Sequence, residues 1–219
     1  MTKKEKVLFM LEFFKNRYGE PECTLEYTDP LQLLIATQLA AQCTDARVNM
    51  VTPALFKKYP DAKAFAEADI LELEELIKST GFYHNKAKNI IACAKKLLIE
   101  FDAKVPDNME DLLTLPGVGR KTANLVLGDI FKKPAMVIDT HAKRITKLIG
   151  LTKNTDPTKV EMDMRKIVEP DSGNDFCHYL VLHGRALCVA RRPKCAECGL
   201  NVICDYAKME AKNGGKGKA

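Results

Sequence analysis

The stretch that decides the fold is Leu112–Lys147, L-L-T-L-P-G-V-G-R-K-T-A-N-L-V-L-G-D-I-F-K-K-P-A-M-V-I-D-T-H-A-K-R-I-T-K. Two apolar segments meet at Leu115-Pro116-Gly117-Val118-Gly119. Pro116 disfavours helix in the residue before it, and the two glycines permit a tight turn at positive φ. A new helix is expected from about Gly119, which leaves the N–H groups of its first turn pointing outward. Such a start attracts phosphate, through unpaired donors and through the positive end of the helix dipole. Arg120 and Lys121 stand beside it. The pattern is a helix–hairpin–helix, a grip on the nucleic-acid backbone that carries no base information.

The rest of the chain reads as helix with little else. Val7, Leu8, Leu11 and Phe14 recur at helical spacing between Lys3 and Tyr18. Asp29-Pro30 supplies an N-cap and a first-turn proline. Thr44 or Asp45 caps a further helix, which Pro53 is expected to break or restart. Asp61 and Asp69 cap two short helices, the second running toward Gly81. Phe82-Tyr83-His84-Asn85 reads as a loop before a helix that ends near Phe101, and Pro134 should end the hairpin's second helix near Lys132. Ala135-Met136-Val137-Ile138 is strand-like but has no partner strand nearby, so it reads as a buried connector. Asp139 is placed to cap a helix ending at Gly150, and two more are expected over about Pro157–Val168 and Asp175–Arg185.

The chain has 219 residues, of which 46% are hydrophobic, enough for a core in one or two domains. No apolar h-region follows Met1-Thr2-Lys3-Lys4-Glu5-Lys6, and no run approaches the length a membrane span needs. A soluble cytoplasmic protein, nucleoid-associated and without a targeting signal, is the expectation. The net charge is +5, but residues 1–6 contribute +2 and residues 208–219 contribute +3, so the body between them is neutral. The distribution is more telling. Arg120, Lys121, Lys132, Lys133, Lys143, Arg144, Lys147 and Lys153 face only Asp129 and Asp139 in the same stretch. A basic face of this kind suits a phosphate backbone.

Four of the eight cysteines, Cys23, Cys43, Cys93 and Cys177, are scattered and read as reduced core residues. The other four, Cys188, Cys195, Cys198 and Cys204, follow C-x6-C-x2-C-x5-C. Zinc modules usually bring two distant C-x-x-C knuckles, and only Cys195–Cys198 has that form here. A compact four-thiolate loop suits a cubane iron–sulfur cluster, with zinc as the alternative.

The run L-P-G-V-G-R-K-T-A, the later I-D-T-H and the cysteine spacing together resemble the endonuclease III family of DNA glycosylases over about residues 5–206. The resemblance implies an all-α fold of two packed helical domains, with a DNA-binding cleft between them and a C-terminal [4Fe–4S] loop. The expected domains are 22–133, with the hairpin, and 1–21 plus 134–206, with the cluster; residues 207–219 are expected to be a disordered basic tail. The activity implied is removal of oxidised pyrimidines followed by β-elimination at the abasic site. The partner is double-stranded DNA carrying damaged bases or abasic sites, the protein acts as a monomer, and no membrane is involved.

By resemblance Lys121 is the nucleophile and Asp139 the catalytic carboxylate. An amine must be neutral to attack C1′, and both the helix dipole and Arg120 disfavour an ammonium in that first turn. A carboxylate would activate the amine and stabilise positive charge on the sugar, and Asp139 can do so while also capping a helix. The run L-A-A-Q-C-T-D resembles the family's wedge segment, with Gln42 inserting where the base leaves and Asp45 near the base pocket; Gly81–Lys86 resembles a second wedge. DNA contacts are expected from Gln42, Asp45, Gly117, Gly119, Arg120, His141, Arg144 and Arg191. Ala40 stands where the family commonly has Ser, which bears on the lesion spectrum. Two rivals are an adenine glycosylase, which lacks the lysine and usually carries a further C-terminal domain, and a non-catalytic DNA-binding iron–sulfur redox sensor, which has no use for Lys121 and Asp139 together.

Overall fold

The computed structural model describes residues 1–212, and among them there is no strand. The described chain forms two compact units, one from residues 23–133 and one from residues 1–22 with 134–212.

The continuous unit is built on α2 (Pro30–Leu39), whose residues Leu33 to Leu39 are all buried. Asp29 caps it by accepting from the Gln32 N–H, and Pro30 sits at the first turn, where its missing N–H costs nothing. On α2 pack α3 (Asp45–Lys58), α6 (Tyr83–Glu100) and α8 (Arg120–Asp129); α4 (Ala62–Ala66) and α5 (Ile70–Ile77) pack on α6, and α7 (Met109–Thr114) on α8. α6 buries Ala87, Ile90, Cys93, Ala94 and Leu97 along one stripe, the apolar face of an amphipathic helix. Leu34 is fully buried in α2; truncating such a leucine to alanine costs roughly 2–5 kcal/mol.

Three sequence expectations change here. Pro53 does not break α3, which runs unbroken from Asp45 to Lys58. Its buried residues Val48, Thr52 and Leu55 lie on either side of the proline, so packing holds a helix that local propensity would interrupt. α6 begins at Tyr83, so Tyr83-His84-Asn85 form its first turn and not a loop. α8 ends at Asp129, short of Lys132: Lys132 turns to φ 50 and the Lys133 N–H reaches back to the Leu127 carbonyl at 3.0 Å.

The second unit joins α1 (Lys3–Tyr18) to α9 (Thr140–Ile149), α10 (Pro157–Arg165), α11 (Gly173–Ala186) and α12 (Asp205–Lys212). A capping box starts α1, with Thr2 and Glu5 each satisfying the other's backbone N–H. α1 packs on α11, where Phe14 stacks on Tyr179 at 5.6 Å between ring centroids. Ala135 to Ile138 are buried and have no strand conformation. The tail expectation needs correction over 207–212, which belong to α12. Lys6 Nζ donates to Asp205 Oδ1 and to the Ile149 carbonyl, each at 2.7 Å, and so anchors the start of that helix. Residues 213–219 of the expected tail lie outside the described residues.

Candidate functional site

In the continuous unit the hairpin is a tight turn. The Val118 N–H donates to the Leu115 carbonyl at 3.1 Å, with Pro116 second and Gly117, φ 76, third. That is the residue order of a type II turn, which needs positive φ at its third position. Gly117 also has no room for a side chain, since a Cβ there would lie 2.7 Å from Gln38 Oε1 and 2.9 Å from Asn89 Cβ. The expectation that both glycines supply positive φ holds for Gly117 alone. Gly119 has φ −102 and ψ 177 with open space around it.

Gly119 is the N-cap of α8 and gives that helix no side-chain cap. The helix therefore starts with donors that its own side chains leave open. Arg120 is half-buried; Lys121 is exposed in the first turn, as are Gly117 and Gly119. The apolar side of α8, with Ala123, Val126 and Leu127, is buried and fixes the direction in which that turn points. At the far end Lys133 Nζ reaches both the carboxylate and the carbonyl of Asp107, so this cation braces the entry and exit of the hairpin.

Two further turns of this unit project exposed side chains. Gln42, in the turn after α2, is exposed at φ 55. Phe82, at the start of α6, is exposed at φ 50 and offers no side-chain cap. Left-handed backbone at a residue with a side chain is costly and persists where surrounding structure imposes it. Asp45 does not stand open: its Oδ2 accepts from the Thr24 hydroxyl at 2.6 Å. Asn49 binds the backbone of Thr24 and Glu26 as well, so both side chains hold that segment on α3.

In the second unit Asp139 caps α9, with Oδ1 accepting from the Ala142 N–H at 2.7 Å. His141 and Arg144 lie together on α9, Nδ1 to Nη2 at 3.3 Å, and a Cβ on Gly184 would strike His141. Arg144 Nη2 also donates to the Cys188 carbonyl at 2.6 Å. It thus holds the start of the cysteine loop. Of the basic residues between 120 and 153, the first four fall in the continuous unit and the last four in the other.

Cys188, Cys195, Cys198 and Cys204 line one pocket with Ile145, Ile149 and His183. None of the four is in a disulfide. Among the described residues no three His, Cys, Asp or Glu side chains already stand in metal-binding geometry. The donor set nevertheless fits a thiolate-held metal centre. Burial pushes the Cys188 thiol up to about 11 and raises Cys195 and Cys198 as well. Thiols with this cost of ionisation need a nearby cation to become thiolates together. His183 is buried behind them, with Nε2 3.5 Å from Cys198 Sγ and Nδ1 3.1 Å from the Tyr18 hydroxyl. Arg191 is exposed in the loop. The place of Gly184 against His141 escaped the sequence reading, because only a distant contact singles it out.

A helix–hairpin–helix in an all-helical fold defines a class of DNA repair protein. The family model described as "HhH-GPD superfamily base excision DNA repair protein" matches residues 35–170. Endonuclease III of Synechocystis sp. is 51% identical over 208 residues, covering 94% of this chain and 95% of that one. Endonuclease III of Bacillus subtilis is 37% identical and covers 98% of each. A solved structure of a trapped endonuclease III–DNA covalent intermediate superposes with a TM-score of 0.91 at 36% identity, covering 96% of this chain and all of that one. The chain belongs to the endonuclease III family of the HhH-GPD superfamily.

Proposed function

We propose that the chain is a base-excision repair glycosylase that removes oxidised pyrimidines from duplex DNA and then cleaves the abasic site by β-elimination. One observation carries the chemistry: an exposed lysine, Lys121, sits in the first turn of a helix whose N-cap is a bare glycine. The hairpin N–H groups and Arg120 hold backbone phosphates, which brings the sugar to that amine. The Lys121 nitrogen attacks C1′, the glycosidic bond breaks, and the base leaves with a proton. The nitrogen gives up one proton, and its lone pair then breaks the C1′–O4′ bond, so that the sugar ring opens, O4′ takes up a proton and a protonated imine joins Lys121 to C1′. Removal of a C2′ proton then expels the 3′ phosphate and breaks the strand, and water releases Lys121 from the imine. Asp139 is the carboxylate that takes up protons and balances positive charge on the sugar. Its Ala142 hydrogen bond keeps it oriented. Gln42 and the turn at Gly81-Phe82 enter the duplex as the base is flipped.

The four cysteines hold a [4Fe–4S] cluster in this reading. It ties the loop together and so presents Arg191 to phosphate. The nucleoid is where such an enzyme acts; among the described residues no helix is long and apolar enough to cross a membrane.

The test is borohydride trapping on an abasic-site duplex, which should give a covalent protein–DNA adduct; absence of trapping and of strand cleavage would remove the lyase. For the cluster, anaerobically purified protein should be yellow-brown with about four irons per chain, as a four-cysteine cubane requires. Cys198→Ser should lower both iron content and folding yield. One zinc and no visible absorbance would overturn the cluster assignment.

A further inference from the structure

The two turns that carry Gln42 and Phe82 share one buried side chain. Lys86, in the first turns of α6, is only 6% exposed, a rare state for lysine. Its Nζ donates to the Leu39 carbonyl at 2.7 Å and to the Thr80 carbonyl at 2.9 Å. Leu39 is the last residue of α2, and its carbonyl is one that no helical N–H can reach. From there the chain passes through Ala40 and Ala41 to Gln42. Thr80 stands before Gly81 and Phe82. The ammonium thus grips the backbone just ahead of each exposed, left-handed residue.

An ammonium is an expensive way to fill a core position, since burying it is unfavourable unless hydrogen bonds compensate. A methionine or leucine would pack there more favourably. What an apolar side chain cannot do is hold two carbonyls at one fixed separation. Gln42 and Phe82 each need their neighbours to impose an unfavourable backbone conformation. Lys86 meets that need for both with one group.

We propose that Lys86 is a positioning residue that locks the two turns as a pair, so that Gln42 and Phe82 meet the duplex at one fixed spacing. It touches neither the DNA nor the reacting atoms. The proposal rests on the reading that both turns enter the duplex when the base is flipped.

The test compares Lys86→Met and Lys86→Arg with the parent on two duplexes, one with an oxidised pyrimidine in a stable pair and one with an abasic site. 2-Aminopurine opposite the lesion reports unstacking. Lys86→Met should lose between about ten- and a hundredfold in single-turnover rate on the lesion, the scale of a misplacement of an ångström. Its unstacking signal should slow in step, while abasic-site cleavage stays close to the parent rate. Lys86→Arg, which keeps charge and donors, should recover most of the loss. A folded Lys86→Met protein with equal losses on both duplexes, or with none, overturns the proposal. Gln42→Ala run in parallel separates the two ideas. If it discriminates between the duplexes and Lys86→Met does not, the clamp alone fails; if it does not discriminate, the insertion reading fails and takes the clamp with it. Should Lys86→Met not fold, hydrogen exchange on the parent decides: amides of Ala41–Cys43 and of Phe82–Asn85 should open with one shared free energy, and independent opening overturns the proposal.

Discussion

The helix that carries Lys121 and the helix that Asp139 precedes begin in opposite ways. α9 starts behind a carboxylate that accepts from Ala142 N–H at 2.7 Å. α8 starts behind Gly119 with no side-chain cap. Thr2, Asp29, Thr44, Asp61, Asp69, Asn108 and Asp156 all close the helices they precede. In the continuous unit only α6, behind Phe82, shares the uncapped start of α8. The difference teaches where this molecule keeps its donors. In the continuous unit nearly every helix closes its own beginning, and the two beginnings left open are at the turns we assign to DNA.

The comparison breaks most visibly at the two reactive groups. Lys121→Gln keeps similar reach without the amine, and should abolish trapping and strand cleavage while binding to an abasic analogue survives through the hairpin amides. Asp139→Asn preserves a good cap but removes charge, so thermal stability should stay within a few tenths of a kcal/mol. Its turnover should nevertheless fall by about 10²–10⁴-fold, the range of general acid–base catalysis. Parent-like turnover in a folded Asp139→Asn protein would reduce that carboxylate to a cap.

The hairpin glycines sharpen the contrast next. Gly117→Ala puts a Cβ against Gln38 and Asn89 at φ 76, so affinity for any duplex, damaged or intact, should drop with a loss of roughly 1–3 kcal/mol of stability. Gly119→Ala meets open space at ordinary φ and should bind nearly as the parent does. Anisotropy titrations on undamaged DNA decide this, and equal losses from both substitutions would sink the distinction. Gly119→Asp then converts the open start into a capped one. It should gain a few tenths of a kcal/mol in stability and lose affinity, with a shallower dependence of log affinity on log salt. An unchanged salt slope and affinity would mean that the first turn of α8 does not hold phosphate. Asp139→Ala should cost about 1 kcal/mol by thermal melting, against almost nothing for the asparagine variant.

Local chemistry made much of this readable from the chain. Asp29-Pro30, Asp61, Asp69 and Asp139 announce their helices because a cap is a contact three residues long. The four cysteines announce their cavity because all lie in one short loop. What stayed hidden depends on partners far away. α12 is anchored by Lys6 to Asp205, 199 residues apart. α3 survives Pro53 through its buried face, and Gly117 is required by Gln38 and Asn89 as much as by its turn. Lys86 looks like any helical lysine until its reach across 47 residues to Leu39 is known.

The second unit is discontinuous, with α1 at one end of its chain and α11 near the other. On a ribosome this orders events in time. Residues 23–133 emerge as a finished set and can fold while synthesis continues. α1 must wait with Val7, Met10 and Phe14 uncovered until Tyr179 and His183 arrive. At roughly 5–20 residues per second that wait lasts on the order of ten seconds. During it α1 presents an uncovered apolar stripe, a ready target for a holdase and a reason for this half of the protein to mature last.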